Sequence, residues 1–152
     1  MSLEIQTPER MRAFAARIAA RCRPGDLLIL DGDLGAGKTT FTQGLAAALG
    51  VDEPVTSPTF VIARTYRGPA GELHHVDAYR LGSALELDDL DLDTEGAITV
   101  VEWGADAGAR LGADRLVIRI RRGAEDDLRL VSLEGIGPRW DAATIAELER
   151  PW

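Results

Sequence analysis

The sequence predicts an α/β domain in which helices flank a central mixed sheet. Two short apolar runs, residues 27–30 and 98–101, have the pattern of strands that are buried on both faces. An Ala- and Leu-rich segment after the first run has the composition of a helix. A glycine-rich loop, residues 32–39, lies between that run and that helix. The order strand, glycine loop and helix is typical of phosphate-binding domains, so a single P-loop NTPase-like domain over residues 1–152 is expected.

The first half of the chain can be assigned in order. Apolar residues recur at helical spacing over residues 8–22, which predicts an amphipathic helix with Thr7 as its N-cap and Pro8 as its first residue. Cys22 is expected on the buried face of that helix. The strand at 27–30 leads through the glycine loop into a helix over residues 40–49, which Gly50 ends.

The middle of the chain predicts a loop and a hairpin. Two prolines predict a loop over residues 51–59. Residues 60–66 and 73–79 are rich in β-branched and aromatic residues and flank a turn, which predicts a β-hairpin. Ser83 and Glu86 fit the capping box of a short helix. The acidic run that follows, up to Glu95, is interpreted as a solvated surface, with a partner-docking or metal-binding role as the alternative.

The last third predicts a buried strand, a hairpin and a helix. The strand at 98–101 ends at Glu102 and Trp103, and residues 116–122 and 128–134 alternate around a turn. The hairpin is expected to turn three arginines outward: Arg119, Arg121 and Arg129. A closing helix over residues 141–150 is expected to be capped by Asp141.

Composition excludes several classes of protein. The formal net charge is −8 and the pI is about 4.7, so nonspecific attraction to nucleic-acid phosphates is not expected to drive binding, and no DNA partner is expected. One cysteine rules out an internal disulfide. No apolar run approaches the roughly 18 residues of a membrane span, and no signal peptide is visible, so a cytoplasmic protein without membrane contact is expected.

The glycine loop fills the pattern Gly-x-x-x-x-Gly-Lys-Thr without a mismatch. Lys38 is the only lysine in the chain, beside sixteen arginines, which indicates a site where the two cations are not interchangeable. Lys38 is predicted to contact the outer phosphates of a nucleotide and Thr39 to offer its hydroxyl to Mg²⁺. The predicted phosphate-binding residues are Gly32, Asp33, Leu34, Gly35, Ala36, Gly37, Lys38, Thr39 and Thr40.

Two acidic residues near strand ends are candidates for hydrolysis, because the carboxyl ends of strands in an α/β sheet face the ligand. Glu102 is the candidate for holding the metal ion or its water; the alternative is that it is a strand-end carboxylate that faces solvent. Asp77 is the second, with a structural ion pair to Arg80 as the alternative. Trp103 could cover the nucleotide or fill the core.

Other ligands are disfavoured by the residues present. His74 and His75 are adjacent, and adjacent strand residues point to opposite faces, so a shared zinc ion is not expected. Guanine-specific GTPases read their base with an Asn-Lys-x-Asp loop, which a chain without asparagine cannot supply. A Leu-Ser-Gly-Gly-Gln signature of transporter ATPases is also missing.

Four motifs together resemble the TsaE (formerly YjeE) family of bacterial P-loop ATPases. They are residues 32–40, Ser-Pro-Thr-Phe at 57–60, His-Val-Asp-Ala-Tyr-Arg-Leu at 75–81, and Val-Glu-Trp at 101–103. Their order and spacing also match, from about residue 8 to about residue 134. Gly104 is a departure, since a proline often follows the Glu-Trp pair in that family.

The resemblance implies ATP hydrolysis with Mg²⁺ in the threonylcarbamoyl modification of tRNA adenosine. It implies docking to a complex of TsaB and TsaD homologues, with tRNA contacted only through that complex. Carried over by position, Lys38 matches the lysine that contacts the phosphates in that family. Thr39 and Glu102 match the residues on the Mg²⁺ side of the site. Asp77 matches a second acid that the family requires for hydrolysis. Thr59 matches a switch-like segment near the γ-phosphate, and Trp103 matches the tryptophan beside Glu102.

Two alternatives remain at this point. One is a small-molecule kinase, which would need an acceptor pocket and usually an arginine-bearing lid. The other is a non-catalytic module in which ATP only switches partner binding.

Overall fold

The computed structural model describes residues 2–33, 35–56, 63–69, 71–77, 95–102 and 114–151. These residues form an α/β fold, as the sequence predicts. Their strands make one seven-stranded sheet in the order β1-β7-β6-β2-β5-β4-β3. The strands are β1 (Ser2–Ile5), β2 (Leu27–Asp31), β3 (Ala63–Gly68), β4 (Gly71–Asp77), β5 (Ala97–Glu102), β6 (Arg115–Arg122) and β7 (Arg129–Ile136).

The sheet is mixed, and its parallel centre carries the predicted loop. Strand β2 pairs in parallel with β5 on one side and with β6 on the other, and β5 pairs in parallel with β4. The remaining pairs, β1 with β7, β6 with β7 and β3 with β4, are antiparallel. All six residues of β5 are buried. A central strand covered on both faces needs apolar side chains at nearly every position, which the two apolar runs supply.

Helices α1 (Pro8–Ala19) and α2 (Lys38–Ala48) cover one face of the sheet. Phe14 of α1 and Phe41 of α2 lie with ring centroids 6.3 Å apart and are both fully buried. Helix α1 begins as predicted, since the Thr7 side chain accepts a hydrogen bond from the Arg10 N–H and Pro8 is the first helical residue. Among the described residues, no helix is long and apolar enough to cross a bilayer.

The crossing of α1 and α2 depends on Gly44. A Cβ atom at this position would lie 2.6 Å from Arg12 Cα and 2.7 Å from Arg12 O. Because these are backbone atoms, α1 itself would have to move, and overpacking of this kind costs about 1–3 kcal/mol. A clash with backbone atoms should cost about 2–3 kcal/mol, in the upper part of this range, and alanine recovers about 1 kcal/mol of helix propensity, so we expect Gly44→Ala to lower the free energy of unfolding by about 1–2 kcal/mol. Urea denaturation measures the loss, and Ala47→Gly on the exposed side of α2 calibrates the helix-propensity contribution. A Gly44→Ala variant as stable as the original chain would contradict the close crossing.

Helix α3 (Ala142–Leu148) closes the described chain and is capped by Asp141, as predicted. The Asp141 carboxylate accepts a hydrogen bond from the Thr144 N–H, which holds the pKa of Asp141 below its ordinary value. The segment before α3 is anchored by a partly buried pair, because the Arg139 guanidinium donates to both carboxylate oxygens of Asp26 at 2.9 Å. The Arg139 guanidinium also lies over the Trp140 ring, 4.4 Å from its centroid.

Some predicted boundaries are wrong. Helix α1 ends at Ala19, so Cys22 lies beyond the helix and not on its apolar face. Cys22 is half-buried against the core, and burial, with a contribution from Asp26, raises the pKa of its thiol to about 12, so it remains an inert thiol. The first hairpin turns more tightly than expected, between Gly68 and Gly71. Strand β1 was not predicted, because four residues at a chain end carry too short an alternating pattern.

The predicted short helix near Ser83 lies outside the described residues, as does the acidic run apart from Glu95.

Candidate functional site

The glycine loop joins β2 to α2 at the centre of the sheet. Gly35 and Gly37 have φ angles of 78° and 115°, in the left-handed region that glycine adopts without a steric penalty. Gly32 is needed for space, because a Cβ there would lie 2.7 Å from the Ile120 carbonyl oxygen of β6. The loop therefore keeps its path close to the sheet only with these glycines. Leu34 lies outside the described residues.

Lys38 is the first residue of α2 and its side chain returns over the loop. The residue is only 6% exposed. Its Nζ donates to the carbonyl oxygen of Gly32 at 2.5 Å and to that of Asp33 at 3.0 Å. Burial lowers the pKa of Lys38, while the charges of nearby acids, Glu102 first among them, raise it. An ammonium held in this way is positioned over the loop where phosphate oxygens would enter.

The beginning of α2 differs from the beginnings of the other described helices. Thr7 and Asp141 cap α1 and α3 with side-chain oxygens, whereas α2 has Gly37 as its N-cap and no side-chain hydrogen bond there. Its first turn, like that of α3, contains no acid. The N–H groups at the start of α2 are therefore not taken by a capping side chain, and the positive end of the helix dipole faces the loop. This arrangement favours an anion.

Asp77 and Glu102 are the last residues of β4 and β5, and the register of the parallel pair places them side by side. They are 6% and 3% exposed, so Glu102 is not the solvent-facing carboxylate of the alternative interpretation, while Arg80, the alternative ion-pair partner of Asp77, lies outside the described residues. Leu30 of β2 pairs with Glu102, which brings this carboxylate to the strand that leads into the loop. The charges of both acids act on Lys38. The structure thus brings together the three residues predicted for hydrolysis.

The acids around Lys38 differ in how their charge is balanced. Asp31 pairs with Arg121 at 3.2 Å and lies 3.6 Å from Arg119, so its charge is already compensated. Glu102 is different, because no arginine pairs with it among the described residues, and its buried Oε1 forms no hydrogen bond there although the His75 imidazole lies 3.3 Å away. A buried carboxylate that is not balanced in this way is costly, and a cation is a usual partner for it in such a site.

The residues present fit Mg²⁺. In the part of the chain that the structure describes, no group of three or more His, Cys, Asp or Glu side chains is arranged as a metal cage. Mg²⁺ commonly uses one or two protein oxygens and takes its other ligands from phosphates and water. Glu102 and Thr39, which is half-buried at the second position of α2, would be those protein ligands. Zinc is not supported, since His74 and His75 lie on opposite faces of β4 as expected.

The β6–β7 hairpin forms a wall on one side of the loop. Arg119 and Arg121 are partly exposed, as predicted, but Arg129 does not face outward. The Arg129 Nε donates to the Ala36 carbonyl oxygen at 2.8 Å, and its guanidinium also reaches the carbonyl of Gly35 at 3.4 Å. The prediction failed because strand alternation does not reveal that β7 reaches the loop, where free carbonyls attract the guanidinium.

A small, partly open cleft lies beside the loop. It is bordered by the start of α1, the start of α2 and the β6–β7 turn, through Thr7, Pro8, Met11, Gly37, Thr40, Asp127 and Arg129. Thr40 was predicted from the motif, whereas Thr7, Met11 and Arg129 were not predicted as site residues. A motif search could not have found them, because they come from segments far from the loop in sequence. Two further predicted residues, Thr59 and Trp103, lie outside the described residues.

Three features together define the class of P-loop NTPase-like domains. They are a glycine loop between a central strand and a helix, a buried lysine over that loop, and acids at the ends of neighbouring strands. The family can also be assigned. A model of the family described as "Threonylcarbamoyl adenosine biosynthesis protein TsaE" matches residues 5–130, and the chain belongs to this TsaE family.

Relatives extend the similarity over most of the chain. The tRNA threonylcarbamoyladenosine biosynthesis protein TsaE of Streptomyces coelicolor is 48% identical over 146 residues, which cover 91% of this chain and 99% of the relative. The protein of the same name from Bacillus subtilis is 42% identical over 137 residues, covering 88% of this chain and 85% of the relative. The crystal structure of Bacillus subtilis YdiB superposes with a TM-score of 0.77 at 38% identity, covering 97% of this chain and 93% of that one.

Proposed function

We propose that this chain is a Mg²⁺-dependent ATPase of tRNA threonylcarbamoyladenosine biosynthesis, acting on a complex of TsaB and TsaD homologues. The observation that carries the proposal is the buried Lys38 on the loop carbonyls, at a helix start without a side-chain cap and beside Asp77 and Glu102. The names of its relatives supply the pathway.

The proposed binding mode follows from the charges. The phosphates would lie over the loop, against Lys38 and the N–H groups of α2. The nucleoside would occupy the cleft beside Thr40 and Arg129. Four acids act on Lys38, namely Asp31, Asp33, Asp77 and Glu102, and their negative charge would repel a triphosphate. Mg²⁺ held by Thr39 and Glu102 would neutralise charge on the β- and γ-phosphates.

The proposed reaction is attack of water on the γ-phosphorus, with Asp77 or Glu102 orienting the water and Lys38 stabilising the negative charge. Hydrolysis by the chain alone is expected to be slow. Three described arginines lie near the loop. Arg121 and Arg129 already bind Asp31 and loop carbonyls, and the Arg122 guanidinium lies beside Gly35. All three belong to the β6–β7 hairpin, on the side of β2 opposite to β5 and β4, which carry Glu102 and Asp77. A partner that supplies a cation would accelerate the reaction.

The test measures phosphate release from ATP with Mg²⁺, by the chain alone and with the TsaB–TsaD homologues of the same organism. We expect slow release alone and a clear increase with the partner complex. Mass spectrometry of tRNA from depleted cells should show loss of threonylcarbamoyladenosine. Full-speed hydrolysis without partners would contradict partner stimulation. Transfer of the phosphate to a metabolite, with tRNA modification intact, would identify a kinase instead.

A further inference from the structure

His75 is a fully buried imidazole whose two nitrogens have no hydrogen-bond partner among the described residues. Buried polar atoms in native proteins are usually satisfied, so such a group needs an explanation. Six buried side-chain atoms lack a partner in the described residues, and three of them belong to one pair, His75 and Glu102. Unsatisfied polar atoms are therefore concentrated at the candidate site.

The register of the sheet explains why His75 reaches Glu102. Side chains alternate along β4, so His75 and Asp77 share the face that α1 and α2 cover, whereas His74 points to the other face. His75 pairs with Val100 and Asp77 pairs with Glu102, which makes His75 the diagonal neighbour of Glu102. The distance from His75 Nε2 to Glu102 Oε1 is 3.3 Å.

We propose that His75 is a positioning residue that acts through Glu102. Nε2 lies 3.3 Å from Oε1 of Glu102 without forming a hydrogen bond, and a small reorientation of the two side chains would let Nε2–H donate to Oε1 and fix the carboxylate, which leaves the other oxygen for the Mg²⁺ site. The inference rests on the proposed function, because it assigns His75 a role toward the metal side of that site. Partners of this kind orient metal-ligating groups in many proteins, and losing one typically costs 10- to 100-fold in metal affinity or activity.

The competing explanation is that His75 only fills space in the core. His74 provides a matched control, since it is the same residue type on the same strand, also buried, with its Nδ1 2.9 Å from Thr65 Oγ1 on the opposite face. A change at His74 should affect stability without affecting the metal side. A change at His75 should affect both.

The experiment compares His75→Gln, His75→Asn, His75→Leu and His74→Leu. The Gln side chain places its amide N–H where Nε2 stands and can still reach Glu102, whereas the shorter Asn cannot. Calorimetry measures the affinity for ADP with Mg²⁺ and with EDTA. The ratio of the two affinities gives the contribution of Mg²⁺ to ADP binding. Phosphate release with the partner complex gives kcat and KM, and thermal melting reports folding.

We expect His75→Asn and His75→Leu to reduce the Mg²⁺-dependent gain in ADP affinity by about tenfold, with the affinity in EDTA unchanged. Their kcat should fall by about tenfold or more while KM changes little. His75→Gln should restore both. His74→Leu should lower the melting temperature and leave the affinity ratio unchanged. If His75→Leu does not fold, the Gln and Asn pair still decides the question.

Equal effects of the Gln and Asn variants, or an affinity ratio unchanged in His75→Asn, would overturn the inference. Glu102→Gln in the same titration separates this failure from failure of the proposed function. If Glu102→Gln removes the Mg²⁺-dependent gain and His75→Asn does not, only the role of His75 is wrong. If Glu102→Gln leaves the gain intact, the metal side itself is wrongly assigned and the inference falls with it.

Discussion

Replacing Lys38 with alanine is expected to weaken ATP binding about a hundredfold or more and to abolish measurable hydrolysis. The buried ammonium donates to two loop carbonyls and is held directly over the loop where the phosphates would lie. Removing one partner of a buried charge pair costs about 2–5 kcal/mol, and each 1.4 kcal/mol is tenfold in affinity. The loss should exceed that of an ordinary surface charge because the acids that act on Lys38 would then face the phosphates without it.

Lys38→Arg should fail almost as badly. The Nζ atom fits between two carbonyl oxygens of a tight loop, where a planar guanidinium is too large to enter without moving the backbone. The matched control is Arg67→Ala, which removes one positive charge from an exposed ion pair with Glu72 on the first hairpin. Calorimetry with ATP and circular dichroism would measure binding and folding. Unchanged ATP affinity in a folded Lys38→Ala variant would refute the phosphate site.

Much of the fold follows from local sequence, because the signals that position its elements are short-range. The glycine loop, the capping residues Thr7 and Asp141 and the apolar runs of β2 and β5 each predict a structure from a few neighbouring residues. Strand register was not predictable in this way. It is set by long-range pairing, and it alone places Asp77 directly beside Glu102.

The unpredicted part of the site comes from long-range contacts. Arg129 is separated from Ala36 by 93 positions in the chain, and no local pattern indicates that its guanidinium binds a loop carbonyl. His75 was considered only as a zinc ligand, and its approach to Glu102 depends on the pairing of β4 with β5. Residues that support a site from neighbouring strands therefore require the structure, whereas the loop that defines the site does not.

Glu102→Gln is expected to separate ATP binding from ATP hydrolysis. The substitution keeps the size of the side chain but removes a buried negative charge beside Lys38. Loss of a metal-side carboxylate should raise the barrier by about 3 kcal/mol or more, which is about a hundredfold in the rate of phosphate release. ATP affinity in EDTA should stay the same or rise, because one acid fewer repels the triphosphate.

Slower hydrolysis with undiminished ATP affinity distinguishes this outcome from simple damage to the fold, which would lower both. Glu134→Gln is the matched control, since Glu134 is exposed and pairs with Arg119 away from Lys38.

Asp77→Asn should also slow hydrolysis, and whichever of the two acid variants loses the Mg²⁺-dependent gain in affinity identifies the metal side. Hydrolysis at the original rate by Glu102→Gln with the partner complex would exclude Glu102 from the reaction. If Glu102→Gln and Asp77→Asn both lose hydrolysis but leave tRNA modification intact, a module in which ATP only switches partner binding is favoured.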